Sequence, residues 1–192
     1  MGLGGSAIES LSKVAEMPLY WVQPKTFDRW FELRAGDELA ATLGWKTSCG
    51  TLAAAESADG RWTFKRVGFL NPRVTVREAG SQIDLAIFWP RWLGDGTLEF
   101  ANGRIFRWQS TNFWGTNWMF AASDGTPLVT FKEGSREAKL SDLFKTQAFV
   151  EIQPQARGLP ELSLLVMIGW YLMILRRDDA AAGAAAAAAA AS

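Results

Sequence analysis

Histidine is missing from the 192-residue chain, and cysteine occurs once, at Cys49. The absence of histidine excludes Ser-His-Asp and Cys-His catalysis and any metal centre that needs an imidazole ligand. A single cysteine cannot close an internal disulfide. The sequence also contains no glycine-rich phosphate loop and no calcium-loop spacing. We therefore expect a protein that is not an enzyme and that uses no cofactor and no metal ion.

A basic excess is missing too, since Lys plus Arg and Asp plus Glu both number 20. Proteins that bind nucleic acid usually carry a strong positive charge, so we expect no nucleic-acid partner. The segment from Met1 to Met17 has neither a basic start nor a long apolar run and does not match a signal peptide. Together with the single cysteine, this pattern predicts a cytoplasmic protein.

Only one long hydrophobic run is present, from Leu162 to Leu175, and it has no polar face. Pro160 suits the first turn of a helix, while Arg176 and Arg177 complement the negative end of the helix dipole. A helix over 160–177 would be about 27 Å long, which is short for a bilayer core of about 30 Å. A helix that is apolar on all sides lies in a membrane or inside a protein, and this length favours the buried position over a transmembrane one.

The rest of the chain from residue 18 predicts strands. Turn pairs such as Asp59-Gly60 and Asn102-Gly103 recur at roughly the 8 to 12 residue spacing that is typical of all-β sandwiches and barrels. Segments such as 61–67 and 73–77 alternate polar and apolar residues, so that one face of each strand is buried. An open sheet of about eleven or twelve strands would curl or split, whereas a closed barrel of that size has room for a helix. We predict a mainly β fold, a closed antiparallel barrel of about 12 strands wrapped around the buried C-terminal helix.

The chain is therefore expected to divide into three parts. Residues 1–17 are expected to form a short helix or a flexible arm, because Ser6 and Glu9 make a capping-box pattern. Residues 18–179 form the single barrel domain with its central helix. Residues 180–192, almost pure alanine, are expected to be a disordered tail or a frayed helix.

Three segments resemble proteins of the tubby C-terminal-like superfamily: 60–69, 109–118 and the closing apolar stretch 159–172. The similarity covers roughly residues 18–179 and is nearest to the LURP-one-related and phospholipid-scramblase-like branch in its small bacterial form. The resemblance implies a twelve-stranded barrel closed around its C-terminal helix. For function it implies different things in different members, since tubby domains bind phosphoinositides and scramblases are linked to calcium-dependent lipid movement. Most small members have no assigned role.

Basic residues supply the candidate anion or lipid site. If Asn71-Pro72 turns a hairpin centred near residue 71, Lys65 lies opposite Arg77, and Arg61 and Arg73 share their face. Like charges that face each other across strands destabilise a sheet, so an anionic lipid headgroup could sit between them. The resemblance adds that tubby domains place their phosphoinositide site on basic strand residues. The alternative is a solvated outer face on which nearby carboxylates neutralise the pair; the candidates are Glu78, Asp84 and Glu99.

Large aromatic side chains are the other conspicuous feature, with ten Trp and twelve Phe against two Tyr. We expect most of these rings to pack against the helix, where Gly169 allows a close approach. The set comprises Trp62, Phe64, Trp108, Phe113, Trp114, Trp118 and Phe120.

The preferred function is therefore the binding of anionic phospholipid headgroups at a membrane surface. One alternative is a scaffold that binds another protein through the barrel wall. The other is an integral, scramblase-like membrane protein whose helix inserts into the bilayer.

Overall fold

The computed structural model describes residues 8–25, 28–47, 50–91, 94–134 and 145–191. Within these ranges the chain forms twelve strands, two α-helices and one 3-10 turn. In chain order they are α1 (Leu11–Val14), β1 (Leu19–Gln23), β2 (Trp30–Ala35), β3 (Glu38–Trp45), β4 (Ala53–Ser57), β5 (Gly60–Val67), β6 (Arg73–Glu78), β7 (Ala86–Pro90), β8 (Gly96–Phe100), β9 (Ile105–Ser110), β10 (Asn117–Ala122), β11 (Pro127–Glu133), β12 (Lys145–Ile152), the 3-10 turn Pro154–Ala156 and α2 (Leu162–Ala190).

The strands form one closed antiparallel barrel. Each strand pairs with the next one along the chain, and β1 pairs with β12 to complete the ring. Successive side chains of a strand point alternately into the barrel and out to its outer surface. In β5, Trp62 and Phe64 are buried, while Arg61 and Lys65 are exposed. This architecture confirms the predicted fold class, a barrel of twelve strands around a C-terminal helix.

The helix α2 fills the barrel. All its residues from Leu162 to Leu175 are buried. The Trp170 ring stacks on Trp21 at a centroid distance of 5.9 Å and meets Phe31 edge-on at 5.5 Å. Apolar side chains on every side of the helix therefore find apolar partners on the strands, which is why it needs no polar face. Among the described helices, none is both long enough and apolar enough to cross a bilayer.

The bounds of α2 differ from the predicted 160–177. It begins at Leu162, because Pro160 and Glu161 form a turn that precedes it. It continues as one helix of 29 residues to Ala190, so the alanine tail is helical and not disordered over this range. Alanine has the highest helix propensity, and a helix already nucleated inside the barrel extends without a second nucleation cost. Beyond Arg177 the helix is solvated, with every residue from 178 to 191 exposed.

One end of the barrel, here named the closed end, is covered by α1. Leu11 and Val14 are buried against the core. The Ser10 hydroxyl donates a hydrogen bond of 3.0 Å to Asp59, and Asp59 also accepts one from Ser163 in the first turn of α2. The predicted N-terminal helix is thus present over four residues, while residues 1–7 lie outside the described part of the chain.

The other end, here named the exit end, is where α2 leaves the barrel. Arg66 at the end of β5 forms an ion pair of 2.7 Å with Asp179, and Arg177 forms one of 3.3 Å with Glu133. Because the barrel is a simple meander, the described residues that directly follow the odd-numbered strands lie at this end. They include the connections 68–72 and 111–116.

Candidate functional site

The four basic residues predicted as an anion site share one face, but they do not pair as predicted. Lys65 lies opposite Thr75, and Arg77 lies opposite Thr63. The hairpin is therefore centred on residue 70, midway between 65 and 75, and not on residue 71. The turn starts at Gly68, whose φ of 86° is a conformation that suits glycine. The prediction that Lys65 faces Arg77 is wrong.

Neighbouring groups also balance much of this charge. Arg77 forms an ion pair of 2.6 Å with Asp84, and Arg61 forms one of 3.5 Å with Glu56. Arg73 lies over the Trp89 ring at 5.7 Å from its centroid. Asp84 is one of the three carboxylates predicted to neutralise this face, and Arg77 indeed contacts it. No facing pair of like charges is left to require an anion, and only Arg73 lies beside the exit end.

The exit end instead presents exposed apolar side chains on two connections. In 68–72, Phe69 is 95% exposed and Leu70 is 93% exposed. In 111–116, Phe113 is 93% exposed and Trp114 is 80% exposed, and their rings meet edge-on at 5.4 Å. Large apolar side chains gathered on one surface mark an interaction site more often than isolated ones do. We call these four residues the rim tips.

The prediction that most of the aromatic set packs in the core is confirmed, since five of the seven rings are buried. The buried ones are Trp62, Phe64, Trp108, Trp118 and Phe120. Phe113 and Trp114 are the exceptions. A local signal was available, because both are flanked by the turn-forming residues Asn112 and Gly115.

Hydrogen bonds hold the 111–116 connection in place. The Asn112 side-chain carbonyl accepts bonds from the backbone N–H of Thr116 at 3.0 Å and of Asn117 at 3.1 Å. The Gly115 carbonyl accepts one from the Trp118 indole at 2.8 Å and one from Arg176 at 2.7 Å. These bonds tie the connection to both the barrel wall and α2. Phe113 and Trp114 are therefore presented on an ordered support while making no contact with the core.

A cleft opens between α2 and the barrel wall at the exit end. Its volume is about 180 Å³, and its walls come from α2, β6, β7, β9 and β10. Most of the lining is apolar: Pro72, Val74, Phe88, Pro90, Trp108, Trp118, Leu172, Met173 and Leu175. Charged residues lie at its edge: Arg66, Arg73, Arg176 and Asp179. Since Arg66 is paired with Asp179, Arg73 and Arg176 are the cations left at this edge.

The exit end carries more positive than negative charge in the described part of the chain. Its ion pairs are Lys25–Asp28, Arg29–Asp178, Arg66–Asp179 and Arg177–Glu133. Four further cations there have no carboxylate partner among the described residues: Lys46, Arg73, Arg91 and Arg176. One further carboxylate, Asp95, lies at the same end and accepts a hydrogen bond from the Ser110 backbone N–H. Apolar tips and unpaired cations thus share one surface.

Tyr171 is buried in α2 and reaches the connection that follows β3 at the exit end. Burial raises the pKa of Tyr171 well above its usual value, against the opposing effect of a hydrogen bond with the backbone. The Tyr171 hydroxyl donates a bond of 2.6 Å to the Thr51 carbonyl. This arrangement keeps the phenol neutral and structural. Within the described residues, no three acidic or thiol side chains come together as metal ligands.

The fold and the rim define a twelve-stranded antiparallel barrel filled by a helix, with an apolar and basic surface at the end where that helix leaves. Comparison of the chain with protein-family models, curated proteins and solved structures finds no match. The function must therefore be argued from the geometry of the exit end.

Proposed function

We propose that the protein is a non-enzymatic module that binds the surface of membranes containing anionic lipids through its exit end. The observation that carries the proposal is the exposure of the four rim tips beside unpaired cations. Trp favours the membrane–water interface, and Phe and Leu supply apolar area that a peripheral contact buries. Each Lys or Arg near an anionic surface contributes about 1 kcal/mol. The two kinds of side chain act together only if they lie on one surface, and the meander places the connections that carry them at the same end of the barrel.

The magnitudes support a reversible attachment. Full burial of a Phe or Leu side chain is worth about 1.5–3 kcal/mol. Half insertion of the four rim tips would then contribute about 3–6 kcal/mol, before any attraction between cations and headgroups. A single myristoyl chain, which anchors only marginally, provides binding of about 10⁴ M⁻¹. The binding free energy expected from the four rim tips is therefore that of a protein attached reversibly to the membrane surface.

The arrangement of the connections supports an oblique approach to the membrane. Strands β5 to β10 occupy half of the barrel wall, and the rim tips lie on connections within that half. The bilayer would meet this side of the exit end, and the alanine tail is not needed for the contact. A chain that ends at Asp179 should consequently bind like the full chain.

The architecture also supports the resemblance to the tubby C-terminal-like superfamily, which implies a twelve-stranded barrel closed around a C-terminal helix. We propose membership in its LURP-one-related and phospholipid-scramblase-like branch on that ground. The cytoplasmic location stays a prediction. A fold alone does not transfer an activity, so the membrane proposal depends on the rim and not on the resemblance.

Flotation with lipid vesicles tests the proposal. The full chain should float with phosphatidylcholine vesicles that contain phosphatidylglycerol and float poorly with phosphatidylcholine alone. Replacing Phe113 and Trp114 by Ser should lower binding at least about tenfold, since the two half-inserted rings together lose about 1.5–3 kcal/mol of interfacial burial. The matched control replaces Ile83 and Ile105, which are 78% and 44% exposed at the closed end, and should leave binding unchanged.

Charge variants test whether membrane binding depends on the exit end or on the outer wall of the barrel. Arg73→Gln with Arg91→Gln should weaken binding to anionic vesicles and reduce its dependence on salt. Lys65→Glu with Arg77→Glu should have little effect, because neither side chain belongs to the rim. Flotation that survives loss of the two rim rings would refute the proposal. Loss of binding in the outer-wall variant alone would return the site to the predicted basic face.

A further inference from the structure

We infer that the cleft beside α2 is a binding site for a medium-chain fatty acid, with the alkyl chain inside and the carboxylate held at the edge. The inference goes beyond the proposed membrane contact and does not depend on it. It concerns a soluble, monomeric ligand taken up in the absence of any bilayer.

The apolar lining of the cleft provides the binding site for the alkyl chain. Leu172, Met173 and Leu175 form the α2 side of the cleft, opposite Val74 and Phe88 on the barrel wall. A cavity lined by such side chains offers water few hydrogen bonds, and an apolar cavity of about 150 Å³ stays dry and accepts a small hydrocarbon. The cleft, at about 180 Å³, is of that size.

The surroundings favour an extended chain over a compact ring. Pro72 lines the cleft, and the same connection carries the exposed Phe69 and Leu70. The connection that borders the cleft therefore also carries exposed apolar side chains. An alkyl chain longer than the cleft has these side chains to contact, whereas a single aromatic ring would use only the cavity.

The cationic side chains at the edge of the cleft provide the binding site for the carboxylate. Arg66 already holds both oxygens of Asp179, at 2.9 and 2.7 Å. Arg73 lies over the Trp89 ring and has no side-chain hydrogen bond or ion pair within the described residues, and Arg176 donates to the Gly115 carbonyl while lying 4.5 Å from the Trp118 ring centroid. A guanidinium has five N–H donors, so both side chains retain donors for an anion. Neither has a carboxylate partner among the described residues.

Methionine methyl groups report on the cleft directly. Met173 lines the cleft, while Met167 is buried deeper in the same helix and Met119 is half-buried on β10. In a ¹³C-methyl-methionine sample of the full chain, decanoate below its micelle concentration should shift the Met173 signal. The signals of Met119 and Met167 serve as internal controls and should stay in place. Met173→Leu assigns the signal.

Two variants and one neutral ligand make the inference refutable. Val74→Phe should fill the cleft and lower decanoate affinity at least about tenfold, with folding checked by thermal unfolding. Arg73→Glu, at a half-exposed site, should lower decanoate affinity about tenfold and leave decanol unaffected. Arg61→Glu at the closed end is the matched charge control and should change neither ligand.

The failures of the two proposals are distinguishable. A Met173 signal that does not respond to saturating decanoate would overturn the fatty-acid site, whatever the vesicles show. So would equal binding of decanoate by the chain and by Arg73→Glu, because a carboxylate held by the edge must sense that charge. Loss of flotation with an intact Met173 response would instead remove the membrane contact alone.

Discussion

The close contact between Gly169 and Phe131 provides a direct test of the helix inside the barrel. A Cβ atom added at Gly169 would lie 2.6 Å from Phe131 Cε2 and 2.9 Å from Cε1, and closer still to Cζ. Phe131 is fully buried and meets Trp108 edge-on at 5.5 Å, so its ring cannot simply rotate away. Gly169→Ala should therefore overpack the core, at a cost of about 1–3 kcal/mol.

A second effect has the opposite sign. Alanine is more favourable than glycine within a helix by about 1 kcal/mol, so the net loss for Gly169→Ala is about 0–2 kcal/mol. Phe131→Leu removes the Cε and Cζ atoms that crowd Gly169. In that background, Gly169→Ala should become stabilising by about 1 kcal/mol. The expected signature is that Gly169→Ala is more favourable by about 1–3 kcal/mol in the Phe131→Leu background than in the parent chain, because the helix-propensity term is the same in both and cancels.

Urea unfolding of the two single variants and the double variant measures this coupling as a double-mutant cycle. The control is Gly183→Ala, because a Cβ there meets nothing within 4 Å. Because Gly183 lies in the same helix, this substitution should change the unfolding free energy by the same amount in both backgrounds, at most about 1 kcal/mol. If Gly169→Ala has the same effect with Phe131 and with Leu at that position, the helix does not pack against β11 as described.

Two further predictions concern the same helix. In a Tyr20→Phe background, Tyr171 is the only tyrosine, and its raised pKa means that the folded state holds its proton when the unfolded state has lost it. The contribution of Tyr171 to stability is therefore intact below about pH 10 and is lost as the pH rises beyond it. Tyrosinate absorbance should appear only together with alkaline unfolding. Ionisation of Tyr171 while the chain is still folded would contradict this prediction. Ending the chain at Asp179 should change the unfolding free energy by less than about 0.5 kcal/mol, because the tail is exposed; a loss of several kcal/mol in urea unfolding would show that the tail packs on the barrel.

The barrel and its helix could be predicted from the sequence because both follow from strong local patterns. Alternation with period two in 61–67 and 73–77 defines one buried face, and the apolar run 162–175 requires cover on every side. The hairpin register was less accessible, since Asn71-Pro72 competes as a turn signal with Gly68. Moving the centre by one residue shifts the partner of Lys65 from Arg77 to Thr75. Thr75 and Arg77 are two residues apart on β6 and so lie on the same face of that strand. The sequence therefore predicted the face that carries Lys65 correctly and its cross-strand partner incorrectly.

The exposed rim tips could have been predicted from the sequence only by combining local turn signals with the topology of the barrel. Composition assigns rings such as Phe113 and Trp114 to the core, and that inference holds for most of the aromatic set. Their exposure follows from position in a turn, and their proximity to the exit of α2 follows from the meander, which places alternate connections at the same end. Arg91, which has no carboxylate partner among the described residues, joins them for the same reason, and Arg176 joins them because it lies where α2 leaves the barrel. None of these relations is visible within a single segment.

The contrast between the two ends is the strongest reason to place the function at the exit end. At the closed end, α1 covers the barrel, and Asp59 accepts bonds from both Ser10 and Ser163. The exposed apolar residues there are single aliphatic ones such as Ile83, which are ordinary on a protein surface. At the exit end, aromatic side chains stay in water and contribute nothing to the core that is packed beneath them. If replacing the exit-end rings by Ser lowered the melting temperature by several degrees, they would be structural, and the case for a binding surface would lose its basis.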